Sequence, residues 1–327
     1  MTVIQESGAG YKFIKSLSNK DLFVYSPTSL ASHRIPLSEL HFTVSIKEVG
    51  KIKENIDAKI ETNNNYADVK SVVCFGGGVT TDVAKYIALK INHPLTSIPS
   101  AVSTNSFTTN KVCLISEGVT KTMDGRLPDQ VIIDMELLSR SDSEMNLCGV
   151  AELLSFHTAL FDWKIADTDG VEKIDPFFYD LGNLSLDRTL HLIKSNKFNI
   201  RDPSSIKFVI KELFLSGFIV NLYGSGRPQS GSEHIFSRRL EDSIKIPHGL
   251  SISLGIMAMS YFQGNNHNNI KTILQDTGLV DAAIKRGASL NLVKDILLSL
   301  RPREDRYSIL NKINAKEMEA GIKKLSY

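Results

Sequence analysis

The sequence predicts an α/β amino-terminal domain built on a parallel, Rossmann-like sheet, followed by an all-α carboxy-terminal domain. Three observations lead there. Apolar, β-branched segments alternate with amphipathic ones over roughly the first hundred residues, the pattern of strands joined by crossover helices. The last strand signal falls at Val131 to Ile133, and only helical periodicity follows it. At 327 residues, 42% of them hydrophobic, the chain is too long for one simple core. The boundary is placed near residue 137, giving domains 1–137 and 138–327. Ligand sites favour the cleft between two such domains.

The elements follow in chain order. Asp21–Tyr25 reads as a short buried strand ending in Ser26-Pro27-Thr28, a turn and helix start. His41–Ser45 is a second strand. Between about Val49 and Thr62, Ile52, Ile56 and Ile60 recur every fourth residue, which predicts an amphipathic helix. Asn63-Asn64-Asn65 is a loop. Val69–Phe75 is an apolar strand running straight into Gly76-Gly77-Gly78, and helical spacing resumes at once through Thr81, Val83, Ala84, Tyr86, Ile87 and Leu89. Leu95–Ile98 is a further strand ending at Pro99. From Lys111 to Asp134 the pattern reads as a hairpin, with Val112–Ile115 and Val131–Asp134 as its arms. Helices are then expected at 149–166, 187–197, 204–222, 231–241, 249–262, 268–276, 290–299 and 315–324.

Composition narrows the function. Lys and Arg number 38 against 36 Asp and Glu, a net charge of +2, which leaves no electrostatic footprint for nucleic acid. The three cysteines lack zinc-ribbon spacing and point to a reducing compartment. The amino terminus has no apolar signal core, so the expected location is the cytoplasm. The uncharged stretch from about His248 to Asn269 is interrupted by Gly249, Gly255 and Gly264, which favours a buried helix over a membrane span.

Two groups of residues carry chemistry. Three glycines between a buried strand and a helix let a pyrophosphate approach the backbone and meet the unpaired N–H groups of a helix N-terminus. The alternative is an ordinary tight turn, and this is not the GxGxxG dinucleotide fingerprint. Asp82 falls in the first helical turn, where it also serves the helix dipole. Ser100 and Ser103, in Ile98–Asn105 at the end of a strand, suit a ribose or a nicotinamide amide, or simply a turn. In the second half, His234 lies in the first turns of a helix starting near Ser232, and His248 follows fourteen residues later beside Gly249. Glu152 sits on an otherwise small and apolar helical face, a costly place for an acid without a cation. Two imidazoles and a carboxylate are a ligand set for a catalytic divalent metal with an open position. The alternative for each histidine is a satisfied structural role, as expected for His157, His191 and His267, and spacing alone does not assemble the three.

These segments carry a resemblance. Phe75–Tyr86, FGGGVTTDVAKY, resembles the GGGxxxDxAKY signature of the dehydroquinate synthase-like superfamily, which includes the iron-containing alcohol dehydrogenases, glycerol-1-phosphate dehydrogenase and dehydroquinate synthase. Ile98–Ser106 resembles its second motif, PTxxSTDA or PTxxSHDG. Gly226–Ser237 is similar to the RPxSGSEHxxSH segment of the glycerol-1-phosphate dehydrogenases, and Glu152–Ala166 to that group's DLLSxxTAxxDWKLA. The resemblance covers about residues 70 to 260.

It implies a dehydroquinate synthase-like fold, with NAD or NADP in residues 1–137 and a metal and substrate site in 138–327. The metal ligands fall on Glu152, His234 and His248, for zinc, with iron or nickel as alternatives. The cofactor falls on Gly76, Gly77, Gly78, Asp82, Ser100 and Ser103. Asn105 replaces the aspartate of the second motif near the substrate, Glu152 replaces an aspartate, and Arg238 stands where the family has a second histidine. Lys111 and Arg227 are chosen as partners for a substrate phosphate on charge and placement, with a solvated lysine and a structural arginine as the alternatives. The implied activity is oxidation and reduction of a small phosphorylated polyol or ketone by a homo-oligomer. Glu152 and the neutral Asn105 keep open a sugar-phosphate cyclase using NAD transiently. A superfamily member without catalysis is the third reading.

Overall fold

The computed structural model describes residues 1–36, 42–62, 66, 68–195 and 198–325. It divides into two compact units, Met1–Asn146 with Arg201–Ile210, and Leu147–Ile200 with Lys211–Tyr327. The boundary expected near residue 137 falls within a helix, Met135–Arg140, of the first unit.

The first unit holds a six-stranded parallel sheet of β1 (Thr2–Gln5), β2 (Asp21–Tyr25), β3 (Thr43–Ser45), β4 (Ser71–Gly76), β5 (Leu95–Pro99) and β8 (Gln130–Ile133), in the order β1-β8-β5-β4-β2-β3. β2, β4 and β8 read as near-continuous apolar runs because both faces are covered there, while β1 at the sheet edge is mostly exposed. Leu22, Val24, Val72 and Cys74 point into one core with Val83, Tyr86 and Ile87 of α5 (Gly78–Lys90). Phe23, Val73 and Phe75 point into the other, with Ile14 of α1 (Ala9–Lys15), Leu30 of α2 (Pro27–Ser32) and Leu137 of α6 (Met135–Arg140).

Several expectations need amendment. Of the strand expected from His41, Thr43–Ser45 is β3, while His41 and the Asn63–Asn65 loop lie outside the described residues. The helix expected at 49–62 is two: α3 (Ile46–Val49) stops at Gly50, whose φ of 60° breaks it, and α4 (Lys53–Glu61) follows with Ile56 fully buried. The hairpin is not the one expected. Glu117 and Gly118, with φ of 54° and 75°, make a two-residue turn that joins β6 (Lys111–Ser116) directly to β7 (Val119–Asp124). Positive φ at both central residues matches the twist of an antiparallel pair. Val131–Ile133 belongs instead to β8, between β1 and β5 in the main sheet. Asp134 then caps α6, its buried carboxylate accepting from the N–H groups of Gly8, Gly10, Glu136 and Leu137.

The second unit is helical: α7 (Ser143–Leu154, from Leu147), α8 (Phe156–Thr168), α9 (Pro176–Lys194), α10 (Pro203–Tyr223, from Lys211), α11 (Ser232–Ser243), α12 (His248–Gln263), α13 (His267–Asp276), α14 (Leu279–Lys285), α15 (Leu290–Ser299) and α16 (Ala315–Lys324). The single helix expected at 149–166 is divided at Ser155, whose hydroxyl lies 2.6 Å from the Glu152 carbonyl and 2.8 Å from that of Gln229. The uncharged helix α12 is buried on every side, which accounts for its lack of amphipathicity. Among the described residues no helix is long and apolar enough to cross a membrane.

Candidate metal centre

Three helices of the second unit deliver Glu152, His234 and His248 to one place. Glu152 lies near the end of α7, His234 in the first turn of α11, and His248 opens α12. One ligand atom from each lies within 4.8 Å of the other two. The His248 Nε2 to Glu152 Oε2 distance is 3.9 Å, and the two imidazole centroids are 5.5 Å apart. The close approach of α12 to α7 depends on Gly249: a Cβ there would stand 2.5 Å from the Cys148 Cα.

The donor set fits a divalent metal. Glu152 is 6% exposed, and its Oε2 is buried without a hydrogen-bond donor among the described residues. A buried anionic oxygen left bare costs about 1–3 kcal/mol or more, which a cation would offset. Metal–ligand bonds of about 2.0–2.2 Å place tetrahedral ligands about 3.4 Å apart, so the His248–Glu152 pair at 3.9 Å would draw in by about half an ångström and the widest pair, at up to 4.8 Å, by somewhat more than one.

Behind the histidines stand two further carboxylates. Glu233 Oε1 lies 2.7 Å from His234 Nδ1 and accepts the Gly231 N–H at 2.6 Å, while its Oε2 accepts from Thr158 Oγ1 at 2.8 Å. Glu241 Oε1 lies 2.6 Å from His248 Nδ1 and accepts from Ser237 and Ser251 at 2.7 and 2.8 Å. Burial opposes charge on His248, but the adjoining Glu241 carboxylate, with Glu152 beyond it, outweighs that and pushes its pKa up to about 9. Burial likewise works against ionisation of Glu241 and Glu233, and their histidine partners and hydrogen bonds hold both below the usual carboxylate range. Arg238, one turn beyond His234, adds a positive charge that opposes protonation of His248. Deeper in the unit, Asp162 is fully buried and pushed up to about 6 by burial and by the Glu233 charge, against hydrogen bonds from Ser232 and Ile309.

In the first unit, β4 ends at Gly76, Gly77 precedes α5, and Gly78 begins it. A Cβ on Gly76 would stand 2.3 Å from Thr80 Oγ1, so the turn closes only without a side chain. Gly76 is in register with Pro99 and its carbonyl accepts the Ser100 N–H at 3.0 Å. The Ser103 hydroxyl lies 4.0 Å from where a Gly77 Cβ would be. The three glycines, Ser100 and Ser103 therefore share the carboxyl end of the sheet, where open α/β sheets bind ligands. Asn105 is half-buried and starts a short turn, its carbonyl accepting from Thr108.

Three expected residues are occupied otherwise. Asp82 pairs with the fully buried Lys85 at 2.9 Å and accepts the Cys113 N–H at 3.0 Å, tying α5 to β6. The Lys111 ammonium lies 2.6 Å from Asp124 across the hairpin. Arg227 is 1% exposed, 2.9 Å from Glu172, and donates to the Asp162 carbonyl at 3.1 Å. Local carboxylates thus answer the charges chosen for a substrate phosphate. His157 and His267 have structural partners, the Asn265 carbonyl and the Ser260 hydroxyl. The residues that sequence reasoning missed are Glu233, Glu241 and their hydroxyl partners. Their one signal was Glu233, Ser237 and Glu241 at intervals of four on a helix, which is equally the mark of a solvated stripe.

Comparison with known proteins shows the family. Residues 29–141 match the iron-containing alcohol dehydrogenase family. The chain is 30% identical over 276 residues to glycerol-1-phosphate dehydrogenase [NAD(P)+] of Staphylothermus marinus, covering 81% of this chain and 76% of that one. It is 27% identical over 301 residues to the Pyrococcus furiosus protein of the same name, covering 91% and 83%. The fold is similar, at a TM-score of 0.70 and 13% identity, to sulfoacetaldehyde reductase from Bifidobacterium kashiwanohense in complex with NAD+, over 99% of this chain and 96% of that one. A parallel α/β unit, a helical unit and a carboxylate–bis-imidazole cluster define a protein of the iron-containing alcohol dehydrogenase class. Within that class, the length and level of the sequence match show that the chain belongs to the glycerol-1-phosphate dehydrogenase family.

Proposed function

We propose that this protein is a divalent-metal-dependent, NAD(P)-linked dehydrogenase that interconverts glycerol 1-phosphate and dihydroxyacetone phosphate. The observation that carries the reading is the bare, buried Glu152 carboxylate oxygen facing two imidazoles whose other nitrogens are already engaged. The relatives' shared name supplies substrate and coenzyme and favours the dehydrogenase over the cyclase. Zinc suits two imidazoles and one carboxylate, as do iron and nickel.

Glu152, His234 and His248 would hold the metal, which when bound supplies Lewis acidity at the substrate oxygen, while NAD(P) supplies hydride chemistry. The chain's own work is placement. Gly76, Gly77 and Gly78 would admit the pyrophosphate to the N-terminus of α5, with Ser100 and Ser103 toward the nicotinamide side. Asn105 would stand near the substrate as a neutral hydrogen-bonding group. Asp82, Lys111 and Arg227 keep structural roles in this reading. We place the protein in the cytoplasm as a homo-oligomer.

The test is oxidation of NADH or NADPH by the purified protein with dihydroxyacetone phosphate, before and after chelation. Chelator-sensitive, metal-restored oxidation is expected. No oxidation, or phosphate release without net loss of reduced coenzyme, would overturn the reading.

A further inference from the structure

The two carboxylates behind the histidines share one face of one helix. Glu233, Ser237 and Glu241 are spaced by four residues on α11, so they stack along the side that meets α12. Each carboxylate is fixed before it touches an imidazole. Glu233 is fully buried and held by the Gly231 backbone and the Thr158 hydroxyl. Glu241 is held by two serine hydroxyls, one from α11 and one from α12, that lie 2.6 Å from each other. Each then engages the Nδ1 of one histidine, at 2.7 and 2.6 Å.

We propose that Glu233 and Glu241 are positioning residues for the metal, each locking one imidazole as the Nδ1–H tautomer in a fixed orientation so that Nε2 of His234 and Nε2 of His248 are the ligating nitrogens. The tautomer follows from the partner: an ionised carboxylate only accepts, so Nδ1 keeps its hydrogen and Nε2 is the nitrogen whose proton a metal displaces. The orientation follows from burial, since neither carboxylate can swing without leaving its other donors unpaired. His248 Nε2 already faces Glu152 at 3.9 Å. Without these anchors an imidazole is free to rotate or change tautomer, and a ligand atom is lost to the metal. Partners of this kind typically contribute about 10–100-fold in metal affinity. The inference rests on the metal-dependent reading above and extends it from the ligands to what holds them.

The experiment uses the full-length protein freed of metal, with zinc affinity measured by competition against a chelating dye and the Co(II) form followed by its visible d–d absorption. The variants are Glu241→Gln, Glu241→Asp and Glu233→Gln, each checked for fold by circular dichroism. Glu241 is the partly exposed member, so its variants carry the test if Glu233→Gln does not fold. Expected are a zinc affinity about 10–100-fold weaker in Glu241→Gln, a measurable loss in Glu241→Asp, which keeps the charge but withdraws it, and altered Co(II) bands in both. If Glu241→Asp matches wild type and the Co(II) bands are unchanged in Glu241→Gln, the carboxylate acts through charge alone and the positioning role is overturned. Wild-type affinity in all variants overturns it too, leaving the metal enzyme intact. A wild-type protein that takes up neither zinc nor cobalt overturns both readings together.

Discussion

Single residues divide into those whose role is visible in their type and neighbours and those whose role depends on a partner far along the chain. Glu152 belongs to the first kind, an acid among small apolar residues. Asp82, Lys111 and Arg227 belong to the second, since nothing in the sequence says that Lys85, Asp124 and Glu172 already answer their charges. Glu152→Gln keeps the shape and removes the anion. Expected are loss of the metal, a fall in kcat of about 100-fold or more, of the size that loss of a principal electrostatic group brings, and a metal-free melting temperature no lower than wild type, because a bare buried carboxylate is relieved. Metal analysis with calorimetry of the stripped protein checks all three. Asp162 offers a pH test. Its pKa is raised from 3.8 to about 6 in the folded protein, so the native state binds this proton more tightly than the unfolded chain does. Its contribution to stability is therefore greatest below pH 4 and declines as pH rises toward 6. In Asp162→Asn that decline should vanish. The variant should also lose about 1–3 kcal/mol, because an amide cannot accept from Ser232, Gln263 and Ile309 at once. Denaturant midpoints at several pH values measure both effects.

At the scale of elements, what was legible was whatever the local period decides. The strand–glycine–helix unit from Val69 through Leu89 follows from that period, whereas α12, buried on every side, shows as an uncharged run and the break at Ser155 leaves no mark in the pattern. The hairpin was not legible, because its second arm, Val119–Asp124, is polar and mostly exposed and carries no apolar signal, whereas the buried run at Val131–Ile133 does. Sequence also left open why three helices converge. Gly249 is part of the reason. An alanine there would place its methyl against the Cys148 backbone, which cannot yield as a side chain would. Gly249→Ala is expected to move α12 away from α7 and to cost about 1–3 kcal/mol. Because His248 rides on the first residue of α12 and Glu152 on α7, zinc affinity should fall as well. A variant that loses stability but keeps wild-type affinity in the competition assay would show that the two helices can part without opening the ligand set.

For the whole molecule, the two-part organisation was readable because strands stop and helices continue, yet the dividing point was not, since α6 and the first residues of α7 are helical and still belong with the sheet. That division has a measurable consequence. All three metal ligands and both supporting carboxylates lie in the second unit, while the glycine turn with Ser100 and Ser103 lies in the first. A ligand that binds only the native state stabilises it by RT ln(1 + [L]/Kd), about 2.7 kcal/mol at a hundred times Kd. Amides whose exchange needs only local opening respond to the ligand that the opening would release. Hydrogen exchange should therefore slow in α7, α11 and α12 when zinc is added. It should slow at the β4–α5 turn and the end of β5 when NAD(H) is added without metal. Zinc that protected the glycine turn while leaving α11 and α12 unchanged would mean that the cation sits somewhere other than between Glu152, His234 and His248.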